Sequence, residues 1–397
     1  MQFIKTYFFL FTCIFILQNT SAQNSISFDE SSFDKIILRA KKEKKPIFYM
    51  AYATWCPHCN KMKKEVLSDK NVIAFFNANF LNAQQDVDEA DGKMVKEKLG
   101  VKSLPTFAFL DENGTVLYRL SGEYSPEQFL YEAKNALNPK LQLPYLEKQF
   151  NDDISNADKC LAYISTLRKG TDRKTLSVPA HKYLATQNEK ELVSEKNWMI
   201  ISNGVTDIQS KEFQYVLNHK KDFEALVGEK RVTRKLANIV TESLKPLMES
   251  LDTTNYYKQR EIAKTVRIRV TDSLIFNYDL TLTEASENWK NYSEFASESV
   301  RKFAWENPSL LKEIAMNYEK NIADKNKLNE AITWMNRSLE ITESHDGLIL
   351  MSKLYVKVSD KNQAISYAKK ARKLGDELGA NPEETNALYK QLGIKLR

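Results

Sequence analysis

Between Phe33 and Ala40 the apolar residues Phe33, Ile36, Ile37 and Ala40 fall three or four apart. That is the spacing of one helix face, and Pro46 stops the helix. Ile47-Phe48-Tyr49-Met50-Ala51-Tyr52 then runs apolar without alternation, as a central strand covered on both faces does. Met62, Val66 and Leu67 set a second helical stripe. Phe80-Leu81-Asn82-Ala83 predicts another strand leading to Asp86. Met94, Val95, Leu99 and Val101 predict a short helix running into a turn at Gly100. Thr106–Leu110 predicts a strand, Asn113-Gly114 a hairpin turn, and Val116-Leu117-Tyr118 the returning strand. Ser125-Pro126-Glu127 opens a last helix, with Ser as N-cap and Pro at the first helical position. The order α-β-α-β-α-β-β-α predicts one α/β domain with a mixed sheet over residues 24–138.

Past Pro139 and Pro144, a linker, strand signals fade and Glu, Lys, Ala, Leu and Asn dominate. Residues 140–310 predict a helical domain, with stripes such as Phe213, Val216 and Leu217, and Leu236, Ile239 and Val240. Residues 311–397 carry an internal echo. Glu330-Ala331-Ile332-Thr333-Trp334 returns as Gln363-Ala364-Ile365-Ser366-Tyr367, and Ser338 and Ala371 keep the same offset. With Leu348, Met351, Ser352 and Tyr355 upstream of the second copy, this region resembles two tetratricopeptide-like helix pairs. The whole chain is thus predicted as an α/β domain followed by an all-α, partly tetratricopeptide-like region.

Composition narrows the functional classes. With 28% charged and 42% hydrophobic residues the chain reads as an ordinary soluble globular protein of two or three domains. The net charge of +6 is modest, and Lys41, Lys42, Lys44 and Lys45 read as a solvated helix end. No aromatic-interleaved basic motif or phosphate-cradling Gly-rich loop is present, so nucleic acid and nucleotides are not expected as partners. Residues 1–22 read as a secretory signal peptide: Lys5, an apolar stretch from Tyr7 to Leu17, and Thr20-Ser21-Ala22 before a cut at Gln23. An uncleaved anchor is the alternative. Export, most simply to a bacterial periplasm, is the expectation, and it leaves the redox state of any dithiol to other proteins or small thiols.

Trp55-Cys56-Pro57-His58-Cys59 carries the chemistry. Zinc held by one Cys-x-x-Cys pair needs a second ligand pair, and Cys13 and Cys160 each lack a partner at ligand spacing. The pair therefore reads as a reversible dithiol/disulfide, with no metal and no cofactor. Cys160 shares a helical face with Ala157, Leu161, Ile164 and Leu167 and reads as a core thiol; a third redox position is the alternative.

Residues 24–138 resemble the thioredoxin family. The resemblance rests on the Trp55–Cys59 motif after a buried strand, on Leu104-Pro105-Thr106 before the next core strand, and on Asn113-Gly114 followed by Gly122. The stretch from Cys59 to Val72 is most similar to exported thioredoxin-like domains, among them the C-terminal domain of the periplasmic membrane electron-transfer reductant. The resemblance implies that Cys56, at a helix N-terminus, is the nucleophile, and that Cys59 resolves the mixed disulfide. Pro57 fits the first helical turn. His58 would stabilise the Cys56 thiolate, an exposed spacer being its alternative role. Pro105 would be cis, with Leu104 and Thr106 beside the dithiol to pair with a substrate strand. Trp55 would pack over the site. Met50 stands where the family usually has a buried Asp that relays a proton to the second cysteine. Asp86 and Glu65 are the candidate substitutes, each read as a surface carboxylate. The implied partners are protein thiols and disulfides, a membrane electron donor, and a peptide or protein bound by the helical region. A binding or assembly factor whose dithiol senses redox state is the second functional class. Pro-His points to an oxidising couple, the subfamily to a reductant.

Overall fold

The computed structural model describes residues 25–170 and 173–395. The segment read as a leader, residues 1–22 with Cys13, lies outside the described residues. The chain divides into two compact units, Met1–Val205 and Thr206–Arg397.

The first unit is built on a five-stranded sheet. A two-residue strand, β1 (Phe28–Asp29), precedes α1 (Phe33–Glu43), which buries Phe33, Ile36 and Ala40 and closes on Lys44 in a left-handed cap. Then follow β2 (Ile47–Tyr52), α2 (Pro57–Lys61), a π-turn over Met62–Val66, α3 (Lys70–Asn79), β3 (Leu81–Asp86) and α4 (Ala90–Lys98). The hairpin β4 (Thr106–Leu110) and β5 (Val116–Ser121) leads to α5 (Pro126–Ala136). Strand order is β1-β3-β2-β4-β5, with β3 parallel to β1 and β2, and the hairpin antiparallel. β2 is central, which is why its sequence lacks alternation. Phe48 on β2 packs against Phe76, Phe107, Phe109 and Phe129, ring centroids 4.5–6.0 Å apart. Gly114 turns the hairpin at φ 87°, and the Ser125 capping box opens α5.

β3 extends three residues past its predicted end. Gln85 and Asp86 are polar yet buried, and Tyr49 Oη donates to Gln85 Oε1 at 2.7 Å. Hydropathy hides such a strand end.

Five helices follow within the same unit: α6 (Leu143–Asp152), α7 (Ala157–Leu167), α8 (Arg173–Leu184), α9 (Glu189–Leu192) and α10 (Glu195–Gly204). The turn after α7 is joined to the sheet. Ser121 N–H donates to Lys169 O at 2.9 Å, and Lys169 Nζ donates to Glu132 and to Tyr118 Oη.

The second unit is helical throughout its described residues. It comprises α11 (Lys211–Asn218), α12 (Lys220–Val227), α13 (Glu229–Glu249), α14 (Thr253–Lys264), α15 (Arg269–Ala285) and α16 (Trp289–Phe303), then α17 (Pro308–Asn321), α18 (Lys325–Ile341), α19 (His345–Lys357), α20 (Lys361–Leu378) and α21 (Glu383–Leu392). The sequence echo falls on α18 and α20, where Ala331 and Ala364 are both fully buried. Trp334 packs edge-on against Tyr318 of α17, and its counterpart Tyr367 stacks on Tyr355 of α19. Between α14 and α15, Arg260 grips the buried Asp279 carboxylate through Nε and Nη2, while Tyr256 Oη donates to it at 2.8 Å.

Candidate active site

The central strand points the site outward. β2 ends at Tyr52, and the chain crosses three residues to Cys56, the N-cap of α2. Two contacts, from the last residue of β3 and the residue after it, shape that crossing. Asp86 Oδ2 accepts from Thr54 N–H at 3.0 Å, and Val87 N–H donates to Tyr52 O at 2.8 Å. Cys56 N–H donates back to Ala53 O, and Asn60 Nδ2 donates to Thr54 O. Pro57 occupies the first helical position, where an N–H would lack a helical partner.

Cys56 and Cys59 form a disulfide with Cα atoms 5.3 Å apart. Both are buried, Cys59 completely. Cys59 N–H points at Cys56 Sγ, 3.2 Å away. An unpaired helix-terminal N–H aimed at sulfur, with the positive end of the helix behind it, stabilises a thiolate there once the pair is reduced.

Position 50 holds a buried Met, opposite Gln84 and Phe107 in the sheet register. Of the two carboxylates read as surface groups, Glu65 is exposed. Asp86 is not. It is buried, with Oδ1 accepting from Asp88 N–H as Oδ2 accepts from Thr54. The reason is local: the strand ends there, and two turning N–H groups need an acceptor. Asp88 in turn accepts from Trp55 Nε1 at 2.6 Å, holding an indole that remains 68% exposed.

The remaining residues singled out by sequence lie at the same end of the sheet. The Leu104–Pro105 peptide bond is cis. Thr106 opposes Ala51 in register, so Leu104 and Pro105 lie at the end of the sheet where Cys56 emerges. Thr106 Oγ1 donates to Ser103 O, and Pro105 O accepts from Gly122 N–H at 3.1 Å.

Glu123, one residue on, was not legible as a site residue. Its Oε1 meets His58 Nδ1 and its Oε2 meets Lys61 Nζ. Lys61 first, then His58, holds the Glu123 carboxyl below the ordinary carboxylate range, and the same contact raises the Lys61 ammonium. Cys160 stands apart: it is fully buried, and burial pushes its thiol up to about 12. Among the described residues no group of three or more His, Cys, Asp and Glu side chains is disposed to hold a metal.

The sheet order, the disulfide at a helix N-terminus and the cis-proline beside it are the architecture of a thioredoxin-like domain. Residues 33–136 match the family described as Thioredoxin-like domain. The chain is similar to the chloroplastic thioredoxin-like protein HCF164 of Arabidopsis thaliana, 33% identical over 112 residues, which are 25% of this chain and 38% of that protein. It is also similar to protein disulfide-isomerase A5 of Bos taurus, 26% identical over 129 residues, or 32% of this chain and 23% of the relative. A solution structure of a candidate disulphide-isomerase from Bacteroides thetaiotaomicron shares 35% identity over 29% of this chain and 95% of its own, with a TM-score of 0.27. The chain thus spans between about a quarter and two fifths of the curated relatives it matches.

Proposed function

We propose that the protein is an exported thiol–disulfide oxidoreductase that reduces or exchanges disulfides in exported proteins through its Cys-Pro-His-Cys site. The observation that carries this reading is the Cys56–Cys59 disulfide at the N-terminus of α2 within a thioredoxin-like domain. The relatives' names, thioredoxin-like protein and protein disulfide-isomerase, support the same chemistry. Export is supported by the leader pattern of residues 1–22.

In the reducing direction the Cys56 thiolate attacks one sulfur of a substrate disulfide. A Cys56–substrate disulfide forms, and the other substrate sulfur leaves as a thiolate and takes a proton. Cys59, deprotonated, then attacks Cys56 Sγ, forming the intramolecular disulfide and releasing the second substrate thiolate. Two electrons pass to the substrate, and a dithiol donor resets the pair. With Met50 at the usual relay position and both Asp86 oxygens committed to backbone N–H groups, the Cys59 proton goes to water or to the departing thiolate. We expect Cys56→Ser to abolish insulin-disulfide reduction and Cys59→Ser to accumulate mixed disulfides, read by mass spectrometry. Full activity in Cys56→Ser would sink this reading. The direction is read from the potential. A value near roughly −270 mV marks a reductant fed by a membrane donor, and one near roughly −120 mV a disulfide donor.

A second role falls to the helical region. The paired helices α17–α18 and α19–α20, with the echoed Ala331 and Ala364, support a tetratricopeptide-like array that binds a peptide or protein partner.

A further inference from the structure

Glu123 reaches the dithiol helix from a backbone anchored at the two residues before it. Just before it, Gly122 N–H is bonded to Pro105 O, and Ser121 N–H to Lys169 O. Gly122 has φ 89°, a conformation that suits glycine and turns the chain toward α2. On α2, His58 and Lys61 are three residues apart and therefore share a face. One carboxylate takes both: Oε1 faces His58 Nδ1 and Oε2 faces Lys61 Nζ. Cys56 Sγ accepts instead from Cys59 N–H. The two side chains of α2 able to carry positive charge are thus engaged by a negative charge on the β5–α5 connection.

We propose that Glu123 is a positioning residue for the dithiol: by holding His58, and neutralising Lys61, it withholds cationic stabilisation from the Cys56 thiolate and keeps the pair less oxidising than Pro-His would make it. The inference rests on the oxidoreductase reading and adds what sets its potential. A disulfide becomes a stronger oxidant when its reduced form is stabilised, and the thiolate is the part of the reduced form that charge can reach. The Glu123 carboxylate is ionised at neutral pH, since Lys61 and His58 hold its pKa low. Removing that charge frees the imidazole to turn toward Cys56 and unmasks the ammonium of Lys61. Both changes favour the thiolate.

The test uses the full chain, equilibrated with reduced and oxidised glutathione at neutral pH, with the oxidised fraction read by mass spectrometry. The variants are Glu123→Gln, Glu123→Asp, His58→Ala and the Glu123→Gln/His58→Ala double. Glu123→Gln is expected to shift the exchange constant about tenfold toward the reduced protein, equivalent to about 30 mV. It should also lower the Cys56 thiol pKa, read from thiolate absorbance. Glu123→Asp, which keeps the charge, should restore at least half of the shift. In the His58→Ala background the effect of Glu123→Gln should fall below half. An unmoved or lowered potential overturns the inference, and so does a shift of equal size with and without His58. A wild-type pair that fails to exchange with glutathione brings down the oxidoreductase reading and this inference with it. A wild-type pair that exchanges normally while Glu123→Gln changes nothing brings down this inference alone.

Discussion

Asp86 closes β3 with one carboxylate oxygen on the backbone that delivers Cys56, at Thr54 N–H, and the other on Asp88 N–H in the turn that follows the strand. Asp86→Ala leaves both donors without that acceptor in a partly buried turn, at a cost of about 1–3 kcal/mol. Thermal unfolding should show the loss, and Asp86→Asn, which keeps one acceptor oxygen, should lose less. Equal stability of wild type and Asp86→Ala would mean that water replaces the carboxylate fully. At this scale the cysteine pair is legible in the sequence because its spacing is a local property of one helix turn. The environment of the pair is not. His58 meets Glu123 across a separation of 65 residues, and only the sheet brings α2 and the β5–α5 connection together. Asp86 reads as exposed because carboxylates usually are; its burial follows from turning N–H groups that no residue-type rule counts.

Elements were legible in proportion to how uniformly they are buried. The predicted bounds of β2 and β4 match the structure because every residue of Ile47–Ala51 and of Thr106–Leu110 is buried, and an unbroken apolar run has one reading. β1 is too short to set a period. The Met62–Val66 π-turn keeps an apolar stripe compatible with a simple helix, so the bond from Leu67 N–H to Met62 O was invisible. α4 shows how close element packing is at the site. An added Cβ at Gly92 would collide with Asp86 O and crowd Val87 Cα, both backbone atoms. Gly92→Ala must therefore push α4 off the end of β3 and disturb the Asp86 carboxylate with it. We expect a loss of roughly 1–3 kcal/mol, the usual range for overpacking. Denaturant unfolding measures it, and a stabilised variant, as Ala for Gly in an unhindered helix would give, would show that α4 is free to move.

In the first unit as a whole, the helices that follow α5 are held to the sheet through the turn after α7. The joint is small and specific. Lys169, just past α7, donates to both oxygens of Glu132 on α5, at 3.0 and 2.8 Å, and to Tyr118 Oη, while its carbonyl accepts from Ser121 N–H at the end of β5. β5 is the sheet's last strand, so that N–H would otherwise belong to an open edge. Burial pushes the Glu132 carboxyl up, but the hydrogen bonds from Lys169 and Tyr118 and the Lys169 charge carry it below its ordinary 4.5. A carboxyl depressed in the folded state adds stability that is fully present above its unfolded value and is lost as pH falls through the folded one. Lys169→Met removes the charge and leaves Glu132 half-buried with only the neutral donors Tyr118 Oη and Asn135 Nδ2. Its destabilisation, about 1–3 kcal/mol, should be complete near neutral pH. It should shrink as pH drops below 4.5 through the depressed value, where wild type loses the same contribution. Chemical unfolding of the two proteins along a pH series decides it. No difference between the two proteins at any pH would mean that the layer is held by the backbone bond from Ser121 N–H to Lys169 O, which the Met variant keeps, rather than by charge.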